Sequence, residues 1–402
     1  MSPTLAELIV LGVFLLFGLL FGLHRGVKRS VLRIVLLLLC AVGAYFIRGA
    51  IIDALWQVNM DGQTFEEMLT GSLPAEMEGL KDKIVPIVNI LVGLFVYLLL
   101  FVVLQFLSWL IVFPICKIFV KKDKSQKVRR LGGMLTGLLA GFLVYYILAM
   151  PVLGLSGTLL KLADIEVDGK KITDSLPPEV TSQVDFEQVK NDPFMKVYGV
   201  IGTFYYDFLT TTKDANGNTV KLNTQIDAIT TSAAIAAEVS KISDVKINGE
   251  LTEESVGDIQ TMLRNIEEIK QGADPETLDA INDLIRTLAD SVIPEEEKAN
   301  FPLDLENFDI SAIDFANEAD LIGDLMQLQD ETKEPDVDSL IRHLAKSDII
   351  FPILTSQSEA LELPESDKAK VKSAIDKLTP EDADAETIEK LKTLFAVDYV
   401  ID

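Results

Sequence analysis

Cysteine and histidine are scarce in this chain of 402 residues, which has two of each. Cys40 and Cys116 both lie in long apolar runs, so the rest of the chain has neither a disulfide nor a cysteine–zinc site. His343 is the single histidine beyond residue 154, too few for a histidine triad or a multi-histidine metal site there. Neither a Walker sequence nor a dinucleotide fingerprint is present. We therefore expect no enzyme, no metal and no cofactor.

Positive charge is scarce in the later part of the chain. Residues 154–402 carry 22 Lys and Arg against 52 Asp and Glu, whereas residues 1–153 carry 14 against 9. An acidic domain of this kind repels nucleic acid and anionic lipid head groups. The charge pattern thus excludes nucleic acid as a partner.

Long apolar runs are abundant, with four in the first 155 residues: 5–23, 31–55, 84–116 and 131–153. Each is near or above the ~20 apolar residues that a helix needs to cross a lipid bilayer. The predicted fold class is mainly α, with a four-helix transmembrane bundle in residues 1–155. A mostly helical acidic soluble domain follows in residues 156–402, and the loop-like residues 294–308 are a candidate division within it.

The loops between these spans alternate in charge. The loop after span 1 and the start of span 2 hold four cations and no acid, namely Arg25, Lys28, Arg29 and Arg33. The loop 117–130 holds seven cations against one acid, among them Lys121, Lys122, Lys124, Lys127, Arg129 and Arg130. The loop 48–83 holds three cations and seven acids. Short basic loops stay in the cytoplasm and attract anionic lipid head groups. We expect a multi-pass protein of the inner or plasma membrane, with its N-terminus and its acidic domain extracytoplasmic.

Glycine recurs at every fourth residue in two of the spans. Span 1 contains Gly18, Gly22 and Gly26, and span 4 contains Gly133, Gly137 and Gly141. Small residues four apart form a flat face that allows a neighbouring helix to approach closely. These two stripes are expected to form tight helix contacts, either with each other or across a homo-oligomer.

Polar residues are few within the spans. Arg33 and Arg48 lie near the ends of span 2 and are expected to reach the membrane interfaces. Gln105 and Ser108 in span 3 either form interhelical hydrogen bonds or line a path through an oligomer. Span 3 is too long for a ~30 Å hydrocarbon core, so we expect it to tilt or to begin outside the membrane. Pro114 is expected to kink or end it.

Helical patterns dominate the acidic domain. Apolar periodicity and capping residues predict helices at 223–242, 252–272, 337–346, 366–378 and 380–395, and one that begins at Asp274-Pro275. The exception is a β-hairpin, with strands predicted at 206–212 and 219–222 around Asn216-Gly217.

Two stretches of the first 155 residues resemble the colicin V production (CvpA) family of bacterial inner-membrane proteins. Gly22–Leu32 (GLHRGVKRSVL) is similar to the glycine–arginine–glycine turn that enters the family's second helix. Arg130–Gly141 (RLGGMLTGLLAG) is similar to its basic, glycine-rich entry to the fourth helix, although Ala140 stands where the family often has arginine. The resemblance implies a four-helix membrane protein linked to colicin V production or export and to envelope homeostasis, with no catalytic residue.

The expected function is that of an interaction or scaffold protein. Its acidic domain would bind an envelope or secretion protein, in envelope homeostasis or in toxin and bacteriocin production and export. The alternative is an oligomeric channel or export component lined by span 3.

Overall fold

The computed structural model describes residues 3–60, 63–64, 81–120, 128–163, 166–167, 170–171, 189–213, 217, 219–243, 253–293, 298, 301–305, 307–329, 335–356 and 365–397. Over these residues the protein is mainly α-helical, which confirms the predicted fold class. Contacts divide the chain into two compact units. Residues 1–164 and 171–226 form the first unit, and residues 165–170 and 227–402 form the second.

Four helical segments of the first unit are long and apolar enough to cross a membrane: Thr4–Arg25, Val27–Trp56, Val85–Ile115 and Arg130–Ala163. The first two are helices α1 (Pro3–Arg25) and α2 (Val27–Trp56). The third lies within a continuous run of three elements, namely α3 (Lys81–Leu107), a π-helical turn (Ser108–Val112) and α4 (Phe113–Phe119). The fourth consists of a π-helical turn (Val128–Gly132) and α5 (Gly133–Ala163). The four predicted spans are confirmed as helices.

A single residue, Gly26, joins α1 to α2. Its φ of 79° lies in the left-handed region, where a side chain would be strained. Its N–H still donates to the Gly22 carbonyl at 2.9 Å, and its carbonyl accepts from Ser30 N at 3.1 Å. The chain therefore changes direction while keeping backbone hydrogen bonds on both sides of the corner.

Pro114 does not end the third span. Proline has no N–H and does not continue an α-helical hydrogen-bond pattern. The helix widens to a π-helical turn just before it, in which Phe113 N–H donates to the Ser108 carbonyl, and α4 then continues to Phe119. The proline is thus accommodated by one wide turn.

Helix α5 continues ten residues past the predicted end of span 4, to Ala163. Gly154 lies against the ring of Tyr206, which fills the space that a β-carbon on Gly154 would occupy. Thr158 Oγ1 bonds both to the Gly154 carbonyl at 3.0 Å and to the Tyr206 hydroxyl at 2.9 Å. Packing against Tyr206 therefore stabilises a helical turn that its glycines would weaken in isolation.

Short helices and two-stranded sheets connect the longer helices. Helices α6 (Pro193–Ile201) and α7 (Thr203–Leu209) precede a hairpin. The two-stranded sheets pair β1 (Asn59–Met60) with β2 (Gln63–Thr64), β3 (Glu166–Val167) with β4 (Lys170–Lys171), and β5 (Thr211–Lys213) with β6 (Thr219–Lys221). The predicted hairpin is present, but its first strand begins at Thr211. The strand predicted from Tyr206 was wrong, because that residue belongs to α7 and is fully buried.

Eight helices make up the rest of the described chain: α8 (Leu222–Ser243), α9 (Glu253–Gly272), α10 (Pro275–Val292), α11 (Phe315–Gln329), α12 (Val337–Ala345), α13 (Ile350–Ser356), α14 (Glu365–Ile375) and α15 (Ala385–Leu394). The predicted start at Asp274-Pro275 is confirmed, with Asp274 accepting from Thr277 N–H. The predicted start of the last helix at Pro380 was wrong. Asp382 instead accepts from both Thr379 donors in a turn, and Asp384 caps the helix.

The second unit contains two apolar clusters. One joins α8, α9 and α10 to Ile310 and Phe315, and the other joins α11 to α15. The Glu318 carboxylate, 1% exposed, accepts from Ser347 Oγ and from the backbone N–H groups that open α13. The contact division lies at residue 226. The described chain just after 308 packs back on α10, because Asn282 bonds both Asp309 and Ile310 N.

Candidate functional site

Helices α1 and α5 pack along their glycine stripes. A β-carbon built on Gly18 would lie 3.1 Å from the α-carbon of Gly141, and one on Gly22 would lie 2.8 Å from that of Gly137. One on Gly133 would lie 2.9 Å from the α-carbon of Gly26. The stripes therefore run antiparallel and meet within one chain, in the first of the two arrangements that the sequence left open.

Residues 189–213 and 219–221 form a platform at one end of the membrane helices. Each of the four spans makes a hydrogen bond to it, through the pairs Thr4–Asp192, Arg48–Leu209, Tyr97–Tyr205 and Tyr146–Ile201. Tyr97 lies in the middle of α3, so the first half of that helix runs beside or beyond the platform.

Arg48 is the most highly connected of these side chains. Its Nη1 donates to the Leu209 carbonyl at 2.7 Å, at the end of α7. Its guanidinium lies 4.4 Å from the centre of the Tyr45 ring, and that ring stacks on Phe208 with centroids 4.5 Å apart. The arginine thus binds the platform, and α7 gains a donor for a carbonyl that the helix itself leaves unpaired.

The platform tyrosines are neutral hydrogen-bonding groups. Burial raises the pKa of Tyr206 to about 12, and it raises the pKa of Tyr205 well above its usual value. The Tyr205 hydroxyl meets the Tyr97 hydroxyl at 2.5 Å, and the Tyr206 hydroxyl meets Thr158. These groups hold the platform in place and carry no charge at physiological pH.

The opposite end of the helices, where α1 turns into α2, is the basic end. Four buried side-chain atoms on the spans near it have no hydrogen-bond partner among the described residues, namely Ser30 Oγ, Arg33 Nη1, Gln105 Oε1 and Ser108 Oγ. Ser30, Arg33, Leu37 and Cys40 follow one another on α2 at spacings of three and four, which places them on one helix face. Unpaired polar atoms are costly in an apolar interior, so a native protein normally provides a water or a ligand for them.

Gln105 and Ser108 face the interior of the chain. They are 9% and 4% exposed, and Gln105 Nε2 lies 3.4 Å from the Leu37 carbonyl of α2. Cys40 Sγ lies 3.5 Å from the Leu104 carbonyl on the same interface. These polar side chains therefore lie between α2 and the third span.

Arg25 lies between two aromatic rings at the basic end. Its guanidinium carbon is 4.5 Å from the centre of the Phe113 ring and 4.9 Å from that of Phe21. Arg33 is near enough for the two charges to repel each other. Two acids of the membrane helices have described side chains, Glu7 and Asp53, and both lie towards the platform end. No described carboxylate of these helices therefore neutralises the arginine pair.

The other predicted basic residues are dispersed. Lys28 and Arg130 are exposed, and Arg29 Nε donates to the Val120 carbonyl at 3.4 Å. The side chain of Arg129 and the whole of Lys121, Lys122, Lys124 and Lys127 lie outside the described residues.

Glu7 and Tyr145 form a buried polar pair of residues at the platform end that was not predicted from the sequence. Glu7 Oε2 and the hydroxyl of Tyr145, which is 4% exposed, are buried without a hydrogen-bond partner in the described structure. Both lie within electrostatic range of Asp192, whose carboxylate accepts from Thr4 Oγ1 and Phe194 N. A lone carboxylate in the apolar run of span 1 was the signal that could have identified it. Within the described residues, no three His, Cys, Asp or Glu side chains group closely enough to hold a metal.

Comparison with family models, with curated proteins and with solved structures finds no match to this chain.

Proposed function

We propose that this protein is an integral membrane scaffold, in which the first unit is an anchor and the acidic second unit binds a protein partner. The observation that carries the proposal is the platform, to which every span contributes a hydrogen bond. Four helices joined at one end in this way, with α1 and α5 in backbone contact, form a rigid base. A rigid base suits a protein that holds another in a fixed place.

We also propose a location for each end of the membrane helices. The basic end is cytoplasmic, since its cations keep short loops on that side, and it contacts anionic lipid head groups. The platform and the acidic unit are then extracytoplasmic, at the cell membrane. The partner is an envelope or secretion protein. The resemblance to the colicin V production family supports a role in envelope homeostasis or in toxin and bacteriocin production and export.

Protease treatment of spheroplasts tests the location, with an epitope placed after Asp402. The expected result is loss of the tag, while a cytoplasmic control protein stays intact. A protected tag, alongside cleavage of a known outside domain, would place the acidic unit in the cytoplasm and overturn the proposed envelope partner.

Photo-crosslinking in living cells tests the scaffold role. A photoreactive residue replaces Glu268 on the exposed face of α9 in one variant and Phe46, exposed on α2, in the control. The Glu268 variant is expected to yield a discrete adduct with one extracytoplasmic protein, and the Phe46 variant is expected to yield only lipid or self adducts. A scan of exposed second-unit positions that produced no protein adduct would reject the scaffold.

The second candidate function is an oligomeric channel or export component lined by the third span. The unpartnered Gln105 and Ser108 atoms favour it, since polar atoms within a span often mark a path. Purified protein in liposomes should then carry an ion flux that Gln105→Leu reduces. Flux no greater than that of empty vesicles would exclude the channel and leave the scaffold.

A further inference from the structure

Two arginines and a buried serine lie at the basic end, and no described acid of the membrane helices lies there to balance them. Ser30 is 3% exposed, and its hydroxyl has no partner among the described residues. Arg33 follows three residues later on the same face of α2. Its Nη1 is also buried and unpaired in the described structure.

Arg25 completes the group from the α1 side of the corner. The rings of Phe21 and Phe113 hold its guanidinium, so it is not free to swing into solvent. Two guanidinium groups near each other in a partly buried site repel each other, and a bound anion relieves this repulsion. The forked donors of arginine match the oxygens of a phosphate, and a hydroxyl adds one further donor.

We propose that Arg25, Ser30 and Arg33 form a binding site for a single phosphate group at the basic end of the bundle. The site deepens the lipid contact of the proposed function and rests on it. Diffuse attraction of basic loops to a charged membrane depends on the number of cations, whereas this site depends on the donors of particular side chains. The phosphate belongs either to an anionic phospholipid or to a free anion.

The full chain in nanodiscs of equal phosphatidylglycerol and phosphatidylcholine tests the proposal, with native mass spectrometry to count the retained lipid. Wild type is expected to retain one phosphatidylglycerol. Arg33→Gln is expected to lower its retention about tenfold or more, because charge-assisted hydrogen bonds are lost. Lys28→Gln is the matched control, since it removes the same charge from an exposed side chain two residues from Ser30. Its retention should fall far less than that of Arg33→Gln, because the change weakens only the diffuse attraction of the basic end to anionic lipid.

A second arm uses labelled inorganic phosphate and nanodiscs of phosphatidylcholine alone. Saturable phosphate binding with the same dependence on Arg33, and no selective retention of phosphatidylglycerol, would identify a free anion as the occupant. Equal losses in Arg33→Gln and Lys28→Gln would overturn the site in favour of diffuse attraction. Absence of binding in both arms would also overturn it.

Two further variants keep the test valid if Arg33→Gln fails to fold. Arg33→Lys keeps the charge and loses the fork, and Ser30→Ala removes only the hydroxyl, so each should lower retention severalfold at unchanged thermal stability. Loss of phosphate binding with intact photo-crosslinks would overturn this site alone. Loss of the crosslinks with intact phosphate binding would overturn the scaffold alone.

Discussion

Gly22 of α1 and Gly137 of α5 are in backbone contact, since a β-carbon placed on Gly22 would lie 2.8 Å from the α-carbon of Gly137. Such an approach leaves no room for a side chain on either helix. The two helices gain van der Waals contact along their whole shared length, which is the main source of helix association in lipid. The first and last spans are thus in closer contact than α1 and α2, which a single residue connects.

Substitution of Gly137 by alanine is expected to lower the stability of the bundle. The added methyl group would force α1 and α5 apart, and such overpacking costs about 1–3 kcal/mol. Gly12→Ala is the control, because Gly12 lies on the same pair's first helix with nothing within 4 Å of its β-position. Alanine favours helix there, so Gly12→Ala should be neutral or slightly stabilising. Thermal unfolding of the purified full chain measures both, and equal effects would show that the helices do not meet at the stripes.

Removal of Arg48 is expected to loosen the platform. Arg48→Ala loses a charged hydrogen bond to Leu209 and the contact with the Tyr45 ring, together about 2 kcal/mol. Hydrogen exchange of the α7 amides should then accelerate on the order of 30-fold, since every 1.4 kcal/mol is a factor of ten. Arg264→Ala is the control, because it removes a surface arginine that pairs with Asp320 and should change exchange little. Unchanged exchange in α7 would mean that Arg48 does not hold the platform.

The spans were predictable from sequence because a bilayer imposes length and apolar character on a helix, independent of the rest of the fold. The glycine stripes were predictable as close-contact faces because their four-residue spacing can be read within a single helix. The platform was not, because the run from Tyr205 to Thr212 is rich in the aromatic and β-branched residues that favour strands. Burial of Tyr206 against Gly154 makes its first half helical, and that contact joins residues about fifty positions apart.

The polar residues at and near the basic end were also partly predictable from the sequence. Arg33, Gln105 and Ser108 stand out as polar residues in apolar runs, and each lies where a span meets another. Ser30 does not stand out in a basic loop, and Arg25 is one of several cations there. Only the structure shows that Phe113, almost ninety residues away, holds Arg25 in place.

The stability of the second unit is expected to decline in acid through its hydrogen-bonded aspartates. Hydrogen bonds from Ser311 and then Asn282 hold the pKa of Asp309 below its ordinary value. A carboxyl with a lowered pKa in the folded state stabilises that state above the ordinary pKa of about 3.9, and the contribution is lost as the pH falls through the lowered value. Asp309→Asn keeps an acceptor oxygen but not the charge. Wild type should therefore unfold at a higher temperature than Asp309→Asn at pH 7.

That difference should disappear in acid, as the pH falls through the lowered pKa and Asp309 becomes protonated in both states. Asp258→Asn is the control, since it removes the same charge from an exposed position on α9 and tests for relief of general repulsion. Circular dichroism melts of the full chain at pH 7 and in acid measure the comparison. A difference between wild type and Asp309→Asn that persisted unchanged in acid would show that the charge of Asp309 is not what stabilises the loop.

Replacement of Gln105 by leucine is expected to leave the bundle as stable as wild type or more stable by about 1 kcal/mol. The amide oxygen is buried with no partner among the described residues, and the Nε2 bond to Leu37 is long, at 3.4 Å. An apolar side chain of similar volume removes the unpaired atom at little cost in packing. Gln105→Ala should instead destabilise by about 2 kcal/mol or more, because it leaves a cavity. Denaturant titration of the two variants separates the effect of the unpaired oxygen from the cost of the cavity. If leucine proved as costly as alanine, the Gln105 oxygen would have a bound water or ligand as its partner, and the interface between α2 and the third span would be hydrated in the native protein.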